Sequence, residues 1–327
     1  MPTPAASGPL TSRLRLPRIG FGAASLGYMY TPVTDEEAEA VVETMWAAGI
    51  RLYDTAALYG GGLSEVRLGR ALARHPRAEY ILCTKVGRGR PFGQRRAPDG
   101  AGDFWNFTYD FALRSVAESL KRLQVDRVDV VHIHDPDSAL DQAMQGTYRA
   151  LEHLRDEGVV GAIGVGSNSE VALAALARRG RFACFLLANR YTLLEQRALT
   201  ELLPLCLERG IAVINAGVFN SGILATGTVP GARYEYREAP PEIQDRVRRL
   251  HDACSRHKVA VKAAALQFPL GHPAVTTLLL GSCSIAHLQE NLRLLTESIP
   301  ETFWVELKAQ GLVDPTAPVP PAGGLHG

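Results

Sequence analysis

Eight short apolar runs punctuate the chain, and in each of them hydrophobic residues follow one another without polar alternation. They read IGFGAAS, IRLYDT, YILCTKV, RVDVVHIH, VVGAIGVGS, FACFLLAN, IAVINAG and AVTTLLLG. A strand covered on one face alternates apolar with polar residues, so these runs predict strands buried on both faces. Between them lie stretches with helical period: DEEAEAVVETMWAAG, SEVRLGRALAR, TYDFALRSVAESLKRL, ALDQAMQGTYRALEHLRDEG and LLEQRALTELLPLCLERG. Thr34 with Glu37 has capping-box spacing, and Gly49, Gly158 and Gly210 stand where helices should stop. Eight strand-then-helix units in about 300 residues predict an α/β chain folded as a (β/α)8 TIM barrel, one domain spanning residues 1–327. A doubly wound sheet is the rival. It wants GxGxxG at the first helix, where GFGAAS is a partial match and GVGSNS comes far too late.

Two segments fall outside the repeat. Residues 87–107, rich in Gly, Pro and Arg, form a long loop of the kind used as a lid or left disordered. Residues 311–327, ending APVPPAGGLHG, read as a mobile Pro/Gly tail, and the N-terminal segment as flexible.

In such a barrel the strand C-termini share one face, where reactive groups gather. Three consecutive strands end on titratable side chains: Asp54 in RLYDT, Lys85 in ILCTKV and His134 in VVHIH. Neighbouring strands lie about 4.8 Å apart, so Asp54 can pair with Lys85, with His134 on the lysine's other side. Tyr59, on the loop after the second strand, can fold over the same spot. An ammonium beside a phenol lowers its pKa, and a carboxylate holds the ammonium oriented. His134 can donate to a carbonyl or alcohol oxygen. These four groups suit proton transfer between an alcohol and a carbonyl, with the hydride taken up by a cofactor.

Composition adds only exclusions. The 327 residues are 46% hydrophobic and 21% charged, with a net charge of +1, which points away from nucleic acid and anionic membranes as partners. No apolar run approaches the roughly 18 residues of a membrane span, and the start lacks a secretion-signal core. Cysteines 83, 184, 206, 254 and 283 make no CxxC pair, suggesting reduced thiols in a cytoplasmic protein and no metal site.

Several motifs in order now resemble one family. They are YDTAALYG with Ser64 and Glu65, TKV at 84–86, SVAESLKRLQVDRVDVVHIHDP, GVGSN at 164–168 and LLLGSCSIAHLQEN. Together they are similar to an aldo-keto reductase over residues 17 to 310. The resemblance implies that Tyr59 is the general acid/base, with Asp54, Lys85 and His134 completing a tetrad. It implies NAD or NADP as cofactor, bordered by Gly22, Ala23, Asp54 and Gly217, with Ser167 and Asn168 on the nicotinamide carboxamide. Phe219 is a loose candidate for stacking on the ring. Gly281, Ser282, Ser284, His287, Glu290 and Asn291 would clasp the adenosine end. Because GSCSIAH carries only His287 as a basic residue, where strict NADPH users place Lys or Arg, NAD or dual use is favoured.

HIHDPD, INAGVFNSGIL and RYTLLEQ resemble the aldose 1-dehydrogenase branch of that family, which holds D-threo-aldose and L-fucose dehydrogenases. That branch implies NAD(P)-dependent oxidation of C1 of L-fucose, D-arabinose or L-galactose to the lactone. The pyridoxal 4-dehydrogenases share these motifs and supply the alternative. A nicotinamide-sensing regulatory barrel without turnover is an alternative of another class. Asp135 reads equally as a ligand for sugar hydroxyls or as a turn cap. Phe104, Trp105 and Phe107 read equally as pocket lining or as residues buried under the lid. His132 reads as a hydrogen-bonded core histidine rather than a proton relay, and Arg88, Arg90, Arg95 and Arg96 as a solvated loop face rather than a grip on pyrophosphate. Cys83 and Cys184 read as inert packing. A monomer or weak homo-oligomer is expected.

Overall fold

The computed structural model describes residues 15–28, 31–94, 101–235 and 237–321. All eight apolar runs contain a strand: β1 (Ile19–Gly22), β2 (Leu52–Asp54), β3 (Ile81–Val86), β4 (Val128–His134), β5 (Val160–Ser167), β6 (Cys184–Ala188), β7 (Ala212–Ala216) and β8 (Val275–Leu280). They pair in parallel in chain order, and β8 returns to pair with β1, closing a barrel. This is the (β/α)8 architecture, and the doubly wound alternative is excluded. Leu52, Cys83, Val130, Cys184, Ile214 and Leu279 fill the inside, while the outward faces pack under the helices in a larger cluster. Both faces are therefore apolar, which is why the strands do not alternate.

The helices are α1 (Asp35–Ala47), α2 (Leu63–Leu72), α3 (Tyr109–Leu123), α4 (Arg149–Asp156), α5 (Glu170–Ala177), α6 (Leu202–Arg209), α7 (Pro241–His257), α8 (Val261–Gln267), α9 (Ile285–Leu294) and α10 (Glu301–Ala309). The capping box at α1 is present: Glu37 N–H donates to Thr34 Oγ1 at 3.2 Å and Thr34 N–H to Glu37 Oε2 at 2.8 Å. Gly49, Gly158 and Gly210 stop their helices with φ of 85°, 76° and 64°.

Four expectations need correcting. The first strand ends at Gly22, and Ala23–Gly27 coil into a 3-10 turn. Gly27 there passes directly beneath the chain at Tyr59, whose carbonyl carbon would lie 2.5 Å from any added Cβ. The segment LLEQRALTELLPLCLERG is helical along α6 only from Leu202, because Thr192 and Glu195 close a turn on each other at 2.6 and 3.2 Å. Residues 87–107 are not a structureless loop: Arg88–Gly89 and Phe104–Trp105 pair as an antiparallel hairpin. The tail is anchored as far as 321, with Leu312, Val313 and Ala317 fully buried and Val319–Pro320 packed on Gly271. Residues 1–14 and 322–327, where flexible ends were expected, lie outside the described residues. Among the described residues no helix is long and apolar enough to cross a membrane.

Candidate active site

Strand pairing sets the polar end of the barrel. Asp54 closes β2, His134 closes β4 and Ser167 closes β5, while Lys85 is next to last in β3. The register aligns Lys85 with His132 and Asp54 with Cys83, so the reactive side chains stack on the interior in two tiers. Lys85 Nζ donates to Asp54 Oδ2 at 2.5 Å and to the Thr55 carbonyl at 2.8 Å, with both charged side chains almost wholly buried. Tyr59 opens a 3-10 turn in which Gly60 and Gly61 take left-handed φ of 62° and 61°. Those glycines let the chain reverse so that the tyrosine ring lies back over the ion pair, with Nζ 4.8 Å from its centroid. The Tyr59 and His134 rings meet edge to face at 5.9 Å. Tyr59, Lys85 and His134 therefore share one cavity with Asp135, Ser167 and Asn168, and Asp54 lies behind Lys85, joined to it by the ion pair.

The electrostatics correct one expectation. Burial pushes the Tyr59 phenol above its ordinary value; Lys85 pulls it back down but does not win. For Lys85, burial works against the charge, yet Asp54 and then Tyr59 overcome it, so the ammonium is held more firmly than in water. Burial also raises Asp54, with Lys85 opposing. His134 falls well below the usual histidine range because of burial, helped by Lys85 and Arg88. A neutral imidazole keeps one N–H to donate toward a substrate oxygen.

Asp135 sits in the left-handed region at φ 47°, which turns its carboxylate into the cavity rather than along the strand. It does not stand free. Arg88 grips it through Nη1 and holds Asp103 through Nη2 at 2.7 Å, and Arg90 takes the other oxygen of Asp103 at 2.6 and 2.9 Å. Arg88 and Arg90 are thus inward-facing and paired, not a solvated loop face; Arg95 and Arg96 lie outside the described residues. Burial raises the Asp135 pKa from its ordinary value against the pull of Arg88. Phe104 and Trp105 do not line this cavity: they are 44% and 50% exposed, and the Arg88 guanidinium lies 4.8 Å over the Trp105 ring. Phe107 is buried against Gly87 and serves packing.

The residues expected around a dinucleotide form a second group. Ser167 Oγ donates to Asp137 Oδ1 at 2.6 Å and accepts from Ser169 N–H at 2.8 Å, which leaves one lone pair for a carboxamide N–H. Asn168 lines the cavity, and its backbone carbonyl accepts from Arg190 Nε at 2.7 Å. Arg190 also pairs with Glu235, tying the end of β5 to the segment after β7. Gly22 pairs with Asp54 across β1 and β2, and a Cβ on Gly281 would lie 3.2 Å from the Gly22 carbonyl. Bare backbone therefore runs from the 281–291 segment to the ion pair, next to buried Ala23. Ser282 accepts from Ser284 N–H at 3.0 Å, and Ser284 caps α9 by accepting from His287 N–H at 3.3 Å. Glu290 pairs with Lys262 at 2.5 Å, and Asn291 is buried beside it in sequence. Gly217 takes φ 69° against the Asn189 side chain, and Phe219 packs on the core rather than standing free. Asp103, Arg190 and Lys262 were not singled out from sequence. Their partners are far along the chain, and no local period or motif marks them.

The described geometry fits a nicotinamide dinucleotide: polar side chains where a carboxamide would lie, glycine backbone beyond them, and a capped helix at the far end. Comparison with known proteins agrees in kind. The Aldo/keto reductase family profile matches residues 18–310. A D-threo-aldose 1-dehydrogenase from a Pseudomonas species is 42% identical over 95% of this chain and 98% of its own length. A pyridoxal 4-dehydrogenase from Microbacterium luteolum is 36% identical over 92% of this chain and 95% of its own. Among solved structures, an aldo-keto reductase from Bacillus halodurans in its holo form superposes with a TM-score of 0.73 at 27% identity, covering 91% of this chain and 92% of that one.

Proposed function

This chain belongs to the aldo/keto reductase family and is an oxidoreductase, and from that premise we propose that it oxidises C1 of aldopyranoses of the L-fucose, D-arabinose and L-galactose type to the lactone. The observation that carries the reading is the buried Asp54–Lys85 pair lying under Tyr59, with Lys85, Tyr59 and a neutral His134 lining one cavity. A nicotinamide cofactor, when bound, would supply the acceptor for the hydride that leaves C1. Ser167 and Asn168 would hold its carboxamide, and Ser282, Ser284 and Asn291 its adenosine end.

His134 donates its N–H to the C1 oxygen and fixes the sugar. Tyr59 takes the hydroxyl proton, and Lys85 stabilises the phenolate that does so. Asp54 holds Lys85 charged and aimed, which is what a carboxylate buried at a strand end is suited to do. Asp135, braced by Arg88, offers an acceptor to further sugar hydroxyls, and the similarity to a D-threo-aldose 1-dehydrogenase supports that choice of substrate. Two observations support NAD or dual use: His287 is the basic residue of the 281–287 segment, and Lys262 is paired with Glu290.

Pyridoxal is the second reading. The 36% identity to a pyridoxal 4-dehydrogenase favours it, and the chemistry is again oxidation of a cyclic hemiacetal to a lactone. The test is reduced-nicotinamide absorbance with NAD+ or NADP+ and L-fucose, D-arabinose, L-galactose, D-glucose or pyridoxal at mildly alkaline pH. Turnover of the threo sugars supports the proposal. Turnover of pyridoxal alone replaces the substrate and keeps the proton chemistry. Silence with cofactor bound points to a sensor barrel.

A further inference from the structure

One tier below the reactive groups, the barrel interior holds polar atoms that the chemistry above does not use. His132 is fully buried on β4, and among the described residues neither of its ring nitrogens has a hydrogen-bond partner. Asp54 Oδ1 is likewise buried without a partner, and His132 Nε2 lies 3.9 Å from it. Cys83 completes the group, its sulfur within 4.8 Å of both. Leaving a buried carboxylate oxygen and an imidazole N–H both unpaired costs more than leaving either one so, and each is the other's complement.

The far side of the ring decides the tautomer. Nδ1 faces Gly164 on β5 so closely that a Cβ there would overlap it, so the residue opposite that nitrogen has no side chain to offer it. Nε2 is the nitrogen that faces the free oxygen. Burial brings the His132 pKa down to about 3, so the ring is neutral and has one proton to give. A cation in this tier is opposed by the Lys85 ammonium, already 2.5 Å from the same carboxylate.

We propose that His132 is a positioning residue for the reaction: it presents Nε2–H to Asp54 Oδ1, closing the 3.9 Å gap by a small shift or through one water, and so keeps Asp54 ionised and aimed at Lys85. The proposal rests on the proton-transfer reading of Tyr59, Lys85 and Asp54. His132 touches neither sugar nor cofactor; it acts through Asp54. The groups facing it are Asp54 on β2, Cys83 and Lys85 on β3 and His134 on its own strand, with Cys184 on β6 beyond them, close to Cys83 and Asp54. Burial pushes both thiols up, so they stay uncharged. With the donor gone, Asp54 protonates more readily, Lys85 loses its counter-charge, and the acid limb of the rate profile moves to higher pH.

The test compares H132L, which removes the donor, with H132Q, whose amide N–H can replace it, and Y59F as the control. H132L is expected to lose about tenfold or more in kcat at nearly unchanged KM for the sugar, the scale of one hydrogen bond to a charged group. Its acid limb shifts upward, and H132Q recovers most of the rate and the profile. Nitrogen-15 histidine labelling of the full wild-type chain, with His132 assigned by difference against H132Q, should show the Nε2–H tautomer. A wild-type rate and pH profile in H132L, with Y59F inactive, would overturn this inference and leave the proposed reaction standing. An active Y59F would instead remove the proton-transfer reading and this inference with it. If H132L fails to fold, the tautomer decides: Nδ1–H overturns the proposal.

Discussion

Two buried cations lie within the same barrel, and their surroundings are finished differently. Around Arg67 on α2, every guanidinium nitrogen is used: Nε donates to Asp35 at 2.8 Å, Nη1 to the Leu26 carbonyl at 2.6 Å, and Nη2 to Tyr28 and the Val33 carbonyl at 3.0 and 2.8 Å. Around Lys85, by contrast, Asp54 Oδ1, both His132 nitrogens and His134 Nδ1 have no partner among the described residues. A saturated cluster can only hold chain segments together, here the 3-10 turn after β1 against α2. An unsaturated one leaves its groups free to reorganise around the reacting residues, at a cost of about 1–3 kcal/mol for each buried group left unpaired. The difference tells these two clusters apart where the burial of the cation does not, since Arg67 and Lys85 are both buried.

That contrast can be broken at its strongest point by Tyr59→Phe. Removing the one hydroxyl that exchanges a proton should lower kcat by about 10²–10⁴-fold while the urea midpoint and cofactor affinity stay at wild-type values. A modest loss would mean that another group takes the proton. Arg67→Met should do the reverse. Stranding the Leu26 and Val33 carbonyls is expected to cost about 2–3 kcal/mol in urea unfolding, with activity per folded molecule unchanged. A drop in kcat at full stability would show that the saturated cluster reaches the site after all.

A smaller effect sharpens the substrate side. Asp135→Asn keeps the shape but weakens the acceptor, and KM for L-fucose should rise about tenfold with little change in kcat, the scale of one charge-assisted hydrogen bond. Unchanged KM would assign Asp135 to bracing the Arg88–Asp103 hairpin and nothing more. The smallest effect is a shape rather than a loss. Oxidation needs Tyr59 able to accept a proton, and burial raises its pKa, so kcat/KM should climb with pH and show no plateau below the ordinary tyrosine value of 10.0. His134 is neutral throughout, so no inflection should fall near 6.5. A plateau at neutral pH would mean that the bound cofactor and Lys85 together outweigh burial.

Much of this was legible in the chain. Asp54, Lys85 and His134 could be placed because the residue at a strand's C-terminal end is a local property, and a parallel barrel carries all such ends to one face. The eight unalternating runs, the capping box at Thr34 and the glycines after α1, α4 and α6 are local in the same way. Tyr59 could join them because the loop just after the second strand lies at the same end of the barrel, while the left-handed turn at Gly60 and Gly61 that lays its ring over the ion pair belongs to the structure.

Other features depended on segments distant in sequence. Arg88 and Arg90 looked like solvent-facing loop residues until the 88–105 hairpin folded them onto Asp103 and Asp135. Phe104 and Trp105, on that hairpin's other arm, were carried out of the pocket by the same pairing. The direction of the Tyr59 shift, and the missing partner of His132, follow from how much of β2 to β6 surrounds each group. Pattern and spacing determine which strands exist and which side chains stand at their ends. Solvation and pairing belong to the assembled barrel, because desolvation and hydrogen-bond partners are set by neighbours that only closure brings within reach.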